Sequence, residues 1–281
     1  MNAVIKWEKK SPILFSVAAL IFYNVLLLGI GLLMGSLITV DGYYNQLAAS
    51  ELAAAAVSVL VLILSGKGRS AFWSRKGFFA SLAVGAYEIV LIALAFAGVA
   101  AENVSKSYQP IGDIIVFVAC MLLVGIAEEV LFRGVITDCI LEKYGMDRKG
   151  VVFAVVMSGL IFGLAHLSNM FYADINPVGV LIQAVQATSL GIFFGAVYMR
   201  THNIFAVIFL HAAMDFVSLS SSGLWGTGTV ESSIGELGVL NLVSVIVYLI
   251  PAIFIMRFSK LDEFLTWADN IRMKNENKLF L

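Results

Sequence analysis

Long apolar segments follow one another along almost the whole chain, and they leave few folds open to it. They fall at residues 12–37, 46–65, 77–99, 111–136 with a continuation toward 144, 151–170, 178–199, 204–219 and 235–257. A helix of about 20 apolar residues crosses the hydrocarbon core of a bilayer, and only helices and closed barrels satisfy their backbone groups there. With 60% hydrophobic and 13% charged residues, the sequence predicts an all-α polytopic membrane protein of about eight transmembrane helices.

The basic residues between these segments test the alternation of the predicted helices. Cytoplasmic loops of membrane proteins are rich in Lys and Arg. If the spans alternate, 16 of the 18 Lys and Arg residues lie on one side, only Lys106 lies on the other, and Arg133 lies within a span. We therefore expect a multi-pass protein of the plasma membrane, with the lipid bilayer as its surroundings and both termini in the cytoplasm.

Few other features compete with this interpretation. A net charge of −1 offers no basic field for nucleic acid, and Cys120 and Cys139 have no spacing that predicts a disulfide or a metal site. The segment 12–37 is too long for a cleaved signal peptide and predicts an uncleaved first helix. We expect one transmembrane domain over 1–281, whose tail, 258–281, is either an interfacial helix or a solvated segment.

Two adjacent glutamates, Glu128 and Glu129, stand inside the fourth apolar segment and are followed by Arg133. A carboxylate in hydrocarbon is costly unless it is paired, hydrated or used, so it marks a functional site by default. Glu129 and Arg133 are four residues apart, on one helix face, and can neutralise each other. Glu128 lies about 100° further round the helix and lacks this partner. The spacing predicts one held carboxylate and one free one.

Two of the chain's three histidines also lie in predicted spans. His166 follows Phe162 by one helical turn, and His211 precedes Asp215 by one turn. At about 1.5 Å per residue, Glu128 and His166 lie roughly 24 and 22 Å from the cytoplasmic ends of their helices and can meet. His211 lies only about 12 Å into its helix, so that helix must start deeper, tilt or break.

The remaining polar residues of the spans have plainer interpretations. Glu51, Gln183 and Gln186 are expected to serve as interhelical hydrogen-bonding groups. Glu88, midway along the third predicted helix, is expected to pair with Arg133 or to solvate a cavity. Acids and imidazoles from three separate helices, by contrast, favour one shared site.

Three motifs in this order resemble a known family. Glu128-Glu129-Val130-Leu131-Phe132-Arg133 matches EExxxR, Phe162 to His166 matches FxxxH, and His211 to Asp215 matches HxxxB, where B is Asn or Asp. The set resembles the CAAX protease and bacteriocin-processing (CPBP or Abi) family of intramembrane endopeptidases, over residues 110 to 215. The resemblance implies a hydrolase with its catalytic core at about 110–218 and a peptide or protein substrate in or at the membrane.

The resemblance also implies a role for each matched residue. Glu128 would be the general base and His166 would orient the attacking water, while Glu129 would pair with Arg133 and shape the site. His211 and Asp215 would stabilise the tetrahedral oxyanion. The sequence departs from the family in two places: Asp215 stands where the prenyl-protein CAAX endopeptidases have Asn, and His202-Asn203 replaces a frequent Gly-Ser.

The cofactor and the function class keep alternatives at this stage. Glu128, His166 and His211 could ligate Zn²⁺ as in a metalloprotease, but no HExxH is present, and we favour a metal-free, glutamate-dependent site. A proton-coupled transporter with buried Glu and His residues is a second hypothesis, against which the sequence shows no paired broken helices. A peptide-binding immunity or maturation protein is a third.

Overall fold

A computed structural model describes residues 3–37, 42–72, 74–171 and 175–278, and every regular element in these ranges is helical. The α-helices are α1 (Ala3–Lys10), α2 (Pro12–Leu37), α3 (Tyr43–Leu64), α4 (Gly68–Ala71), α5 (Phe78–Val84), α6 (Ala86–Glu102), α7 (Ile111–Glu129), α8 (Asp138–Tyr144), α9 (Arg148–Ala165), α10 (Pro177–Thr201), α11 (Ile204–Ser218), α12 (Ser220–Trp225), α13 (Val230–Gly235), α14 (Val243–Ile255) and α15 (Phe258–Lys278). A π-helical segment, Val130–Thr137, joins α7 to α8, and 3-10 turns span His166–Phe171 and Val239–Leu242.

The prediction of an all-α, multi-pass membrane protein is confirmed, and its number of about eight helices is approximate. Within the described ranges, five helical stretches are long and apolar enough to cross a bilayer: Pro12–Ile30, Tyr43–Leu64, Ile111–Tyr144, Arg148–Phe171 and Pro177–Thr201. Two bent pairs raise the number to seven at most. The remaining predicted span is α11, whose 15 residues cover only about 22 Å.

The third predicted helix is broken rather than continuous. Its two halves, α5 and α6, meet at Gly85 and enclose a bend of 74°. A Cβ atom at Gly85 would lie 2.5 Å from Leu210 Cδ1, so the break lies where α11 packs closest. The second bend, of 60°, separates Val239–Ile255 from Phe258–Asn270. The sequence interpretation missed the break because Gly85 lies in an apolar run that reads as one helix.

The helix that carries His211, α11, begins at a buried corner of the protein. Asn203 caps this helix, its side chain accepting a hydrogen bond from the Ala206 amide at 3.1 Å. The same side chain donates to the Lys76 carbonyl at 2.9 Å, and Ile204 is only 1% exposed. Of the three expected causes of the depth mismatch, the fold places the start of α11 in the packed interior of the protein, while its depth in the membrane stays a prediction.

The segments predicted to share one side of the membrane meet at one end of the molecule, which we name the basic end. There the Lys67 ammonium binds Glu8 at 2.8 Å and also contacts Glu142, and Arg148 binds Asp262 at 2.5 Å. The opposite end is joined by neutral contacts, such as the Gln109 amide donating to the Leu224 carbonyl at 2.8 Å. The alternation of the chain is thus visible in the fold, while its orientation in the membrane stays a prediction.

The tail forms a helix that packs on the protein at the basic end. Leu261 and Phe264 of α15 are buried, and the Trp267 ring lies 4.9 Å from the His202 ring. The first part of its apolar face, at Leu261 and Phe264, therefore packs on the protein, while the interfacial helix and the solvated tail stay alternative predictions for the segment as a whole.

Candidate active site

The two glutamates close α7, and the helix changes its winding directly after them. Residues 130–137 form a π-helix, and all eight are buried. The Thr137 hydroxyl donates to the Phe132 carbonyl five residues earlier, at 2.8 Å. Single π-helical turns inside α-helices occur frequently at functional sites. The sequence, which predicts a regular helix here, carries no signal for this change.

Glu129 is the centre of a buried ion network. One carboxylate oxygen lies 3.0 Å from Arg133 Nε, as an ion pair without hydrogen-bond geometry. The other carboxylate oxygen is 2.7 Å from His211 Nδ1. Arg133 in turn donates through Nη2 to the Gly191 carbonyl at 3.0 Å. The contact of Glu129 with Arg133 matches the spacing in the sequence, whereas its contact with His211 depends on the packing of α7 against α11.

Close packing of α9 against α10 brings the Gly191 carbonyl and the FxxxH motif to this network. A Cβ atom on Gly163 would lie 2.5 Å from the Ala184 carbonyl oxygen, and one on Gly159 would lie 2.8 Å from the Ile192 nitrogen. Small residues permit such close approach between membrane helices. Phe162, between these glycines, places its ring under the Arg133 guanidinium, 5.0 Å from the ring centre.

His211 is held at one ring nitrogen and faces two carboxylates with the other. The Nδ1 atom points at the Glu129 carboxylate, which can only accept while it is ionised, so Nδ1 carries the hydrogen. The Nε2 atom lies 3.3 Å from Asp215 Oδ2 and 3.6 Å from Glu128 Oε2. The spacing of His211 and Asp215 thus places both groups beside Glu128, as expected for a shared site.

Glu128 and Glu129 differ sharply in their surroundings. The Glu128 side chain is 24% exposed, and the Glu129 side chain is 0% exposed. In the described part of the chain Glu128 makes no hydrogen bond, and its nearest charged partner is His211. Glu128 is therefore the more accessible of the two carboxylates.

His166 begins the 3-10 turn that follows α9, so it lies at a helix end rather than inside the predicted span. Its Nδ1 atom is 3.0 Å from the Phe162 carbonyl oxygen. A carbonyl only accepts, so Nδ1 carries the hydrogen, and Nε2 of the neutral ring is an acceptor. The Phe162 ring lies 4.9 Å from His166 and 5.8 Å from His211, which brings both imidazoles around one aromatic side chain near Glu128.

The other intramembrane polar residues have separate partners. Glu88 accepts a hydrogen bond from the Tyr248 hydroxyl at 3.4 Å, so its predicted pairing with Arg133 is wrong, because the bend at Gly85 directs it toward α14. Gln183 accepts from Asn169 at 2.8 Å, and Gln186 donates to Ser244 at 2.8 Å, as interhelical groups do. The interhelical role expected of Glu51 stays a prediction.

The side chains do not form a ligand set for Zn²⁺. Across the residues that the structure describes, no three His, Cys, Asp or Glu side chains are spaced to hold a metal ion. The Nδ1 atoms of His166 and His211 are both engaged in hydrogen bonds, which leaves Nε2 as the nitrogen that a metal could take. Glu128, His166 and His211 are not spaced around one point in this conformation, and the choice between a metal-free site and a Zn²⁺ site stays a prediction.

Comparisons with known proteins agree with the motifs. Residues 110–217 match the family described as "Type II CAAX prenyl endopeptidase Rce1-like". The chain is also similar to "Putative membrane peptidase YdiL" of Bacillus subtilis (strain 168), with 30% identity over 157 residues. That alignment covers 53% of this chain and 54% of the relative, so the chain spans about half the length of the relative that it matches. No solved structure matches.

The matched region is the one that holds the site. It begins just before α7, contains all three motifs, and ends at the last turn of α11. The resemblance seen in the sequence is therefore confirmed over this region, where the chain is similar to the CAAX prenyl endopeptidase family that the three motifs indicate.

Proposed function

We propose that this protein is an intramembrane endopeptidase in which Glu128 activates a water molecule. The observation that carries the proposal is the contrast within the pair: Glu129 is buried and bound twice, whereas Glu128 is partly exposed and faces His211 Nε2 at 3.6 Å. A carboxylate beside imidazole groups, with space for a water molecule, is the arrangement that general-base hydrolysis needs. The substrate would be a peptide or protein in or at the membrane, including lipidated ones.

The proposed reaction begins with a water molecule between Glu128 and His166. Glu128 takes one proton from the water, and the oxygen attacks the carbonyl carbon of the scissile peptide bond. The neutral His166 accepts a hydrogen bond from the water through Nε2 and so orients it. When the tetrahedral intermediate collapses, the carbon–nitrogen bond breaks and the proton on Glu128 passes to the leaving amine. The carboxylate of Glu128 is thereby restored.

His211 is the proposed donor to the oxyanion. Glu129 accepts from Nδ1, and Asp215 lies 3.3 Å from Nε2, so two carboxylates favour the doubly protonated imidazolium. An imidazolium Nε2–H is a stronger donor to a developing negative charge than a neutral ring is. On this argument the Asp at position 215, where related enzymes have Asn, acts through the charge of His211 rather than by contacting the oxyanion.

Glu129 and Arg133 have a positioning role in this proposal. Arg133 connects Glu129 to the Gly191 carbonyl, which ties α7 to α10. Glu129 then fixes the ring of His211 on α11. Catalytic groups must be held by neighbours that are themselves immobile, and these buried contacts supply that support.

The experiment compares Glu128→Gln with wild type. Purified proteins are incubated with fluorogenic peptides, with and without a prenyl group, in detergent, and the membrane peptides of expressing cells are compared by mass spectrometry. We expect Glu128→Gln to lower kcat by about 10³-fold or more, as loss of a general base does. Glu88→Gln makes the same chemical change in a residue bound to Tyr248 and should keep activity. Full activity of Glu128→Gln contradicts the proposal.

Metal removal tests the choice between the two mechanisms. Because Glu128, His166 and His211 are not spaced to hold a metal ion among the residues that the structure describes, we expect kcat to change by less than about twofold on treatment with 1,10-phenanthroline. Loss of activity that is restored by added Zn²⁺ would instead require a conformation in which Glu128, His166 and His211 converge on the ion.

A membrane transporter is the second candidate, and the bend of 74° between α5 and α6 favours it, since transporters use interrupted helices at their binding sites. Reconstituted vesicles separate the two functions. Flux driven by a pH gradient, with no peptide cleavage, would favour a transporter. Binding of peptide with neither cleavage nor flux would favour an immunity or maturation protein.

A further inference from the structure

His202, at the corner between α10 and α11, has a strained backbone. Its φ of 43° and ψ of 44° place it in the left-handed region, and in the described ranges it is the single non-glycine residue with a positive φ. This conformation is unfavourable for a non-glycine residue, whereas glycine adopts it freely. The next residue, Asn203, caps α11. The corner needs a left-handed residue followed by a helix cap, and this chain fills the first position with a costly residue.

The His202 ring contacts two aromatic side chains. The Tyr198 ring lies 4.8 Å away, and the Trp267 ring of α15 lies 4.9 Å away. Its Nε2 atom is 3.5 Å from the Tyr198 hydroxyl and 3.6 Å from Asp138 Oδ1. Strained residues persist where their surroundings over-determine them. The imidazole ring therefore joins the end of α10 to both α8 and α15.

This corner is directly connected to the elements of the candidate active site. His211 lies nine residues after His202, on the helix that begins at the corner. Gly191, which accepts the Arg133 hydrogen bond, lies on the helix that ends there. Asp138 begins α8 directly after the π-helix that contains Arg133. A shift of this corner would thus move α11, and His211 with it, relative to Glu128.

We propose that α15 is a clamp on the corner between α10 and α11, and that His202 and Trp267 are positioning residues for the site. This inference rests on the proposed peptidase function, and it gives the C-terminal helix a role in positioning the site. A glycine at position 202 would remove the backbone strain but would leave α15 without its aromatic contact. The imidazole thus gives the corner a docking surface for α15, which holds α11 in the register that places His211 beside Glu128.

The test uses the full-length protein in detergent micelles and two measurements. Hydrogen exchange of the backbone amides of residues 204–215 reports the stability of α11 without any need for activity. The kcat and KM of peptide hydrolysis report the geometry of the site. The variants are Trp267→Ala, Trp267→Phe as the conservative replacement, and His202→Gly. Phe258→Ala is the control for the position of the change, because Phe258 is a largely exposed aromatic residue of the same helix whose ring contacts the Arg148 guanidinium at 5.1 Å, away from the corner.

For Trp267→Ala we expect exchange in 204–215 to rise by about tenfold, and kcat to fall by about tenfold with KM within about twofold, as for a loss of roughly 1.4 kcal/mol of positioning. Trp267→Phe should recover most of both values. His202→Gly, which suits the backbone of the corner, should resemble Trp267→Ala. The double variant should show little further change in exchange or kcat, because each single change already removes the contact between the Trp267 and His202 rings. Phe258→Ala should match wild type.

If hydrogen exchange in residues 204–215 of both Trp267→Ala and His202→Gly equals that of wild type, the proposal that α15 clamps the corner is contradicted. A rise in KM at constant kcat also contradicts it and would place α15 in substrate binding. If Trp267→Ala fails to insert, Trp267→Phe and His202→Gly carry the same test. A wild-type protein without peptidase activity contradicts the proposed function alone, and the exchange measurement still decides whether α15 holds α11.

Discussion

The molecule contains two buried ion networks, one in the membrane interior and one at the basic end. In the membrane interior, Glu129 binds Arg133 and His211. At the basic end, Lys67 binds Glu8 and Glu142. Both combine carboxylates with a buried cation, but only the first lies beside another carboxylate, Glu128, that has no hydrogen bond in the described part of the chain. Burial of charge therefore does not by itself indicate a candidate active site. A carboxylate without a hydrogen bond beside a buried ion network is the more specific sign.

The largest expected effect comes from breaking the interior network. Arg133→Met would remove the guanidinium from the buried Glu129 carboxylate, which keeps its contact with His211, and would remove the hydrogen bond to the Gly191 carbonyl. Removing one partner of a buried pair typically costs about 3–5 kcal/mol. We expect the free energy of unfolding, measured by SDS titration of the protein in mixed micelles, to fall by about this amount.

Glu128→Gln is the control for the destabilisation expected of Arg133→Met. Because Glu128 is partly exposed and is not part of the fixed network, we expect its unfolding free energy to stay within about 1 kcal/mol of wild type. The two variants would then separate stability from chemistry. Equal destabilisation by both changes would show that the two glutamates form a single structural unit, contrary to the division made here.

Breaking the network at the basic end should cost less. In Lys67→Met, Glu8 loses its cation at 2.8 Å while it remains buried, but Glu142 is half exposed and regains water. We expect about 2–3 kcal/mol of destabilisation and no change in kcat. Lys67→Met combined with Glu8→Gln should recover part of the stability, because no buried charge is then left unpaired. A large loss of kcat would connect this network to the site.

The pH dependence of this pair has a defined sign. Burial acts to lower the pKa of Lys67, but the nearby Cys139, Glu142 and Asp138 act to raise it, and the net pKa is raised. A raised pKa contributes stability that is present below the unfolded pKa of about 10.4 and is lost as the pH rises through the folded pKa. The stability difference between wild type and Lys67→Met should therefore stay constant from about pH 6 to about pH 9.

The sequence predicted the parts of this site that depend on local spacing and composition. Glu129 and Arg133 are four residues apart, so their contact follows from helix geometry alone, and the spans follow from hydropathy. The contact between Glu129 and His211 depends on how α11 packs on α7, which no periodicity indicates. The break at Gly85 and the docking of α15 on His202 likewise arise from tertiary packing, which overrides a continuous apolar pattern or an amphipathic one.

The smallest expected effect concerns the exposed ion pair between Arg148 and Asp262, which also joins α9 to α15. Its hydrogen bonds of 2.7 and 2.5 Å are as short as those of the interior network, yet both side chains are about half exposed. Water and salt screen such a pair, so Asp262→Asn should have a Tm within measurement error of wild type in 0.15 M salt.

The hydrogen bond from Arg148 lowers the pKa of Asp262. Any stability that the ion pair contributes is therefore present above the unfolded pKa of about 3.9 and is lost as the pH falls through the folded pKa. Thermal unfolding of both proteins at low and high ionic strength provides the measurement. A loss comparable to that of Lys67→Met, persisting in high salt, would mean that short contact distance rather than burial governs the strength of the ion pairs in this fold.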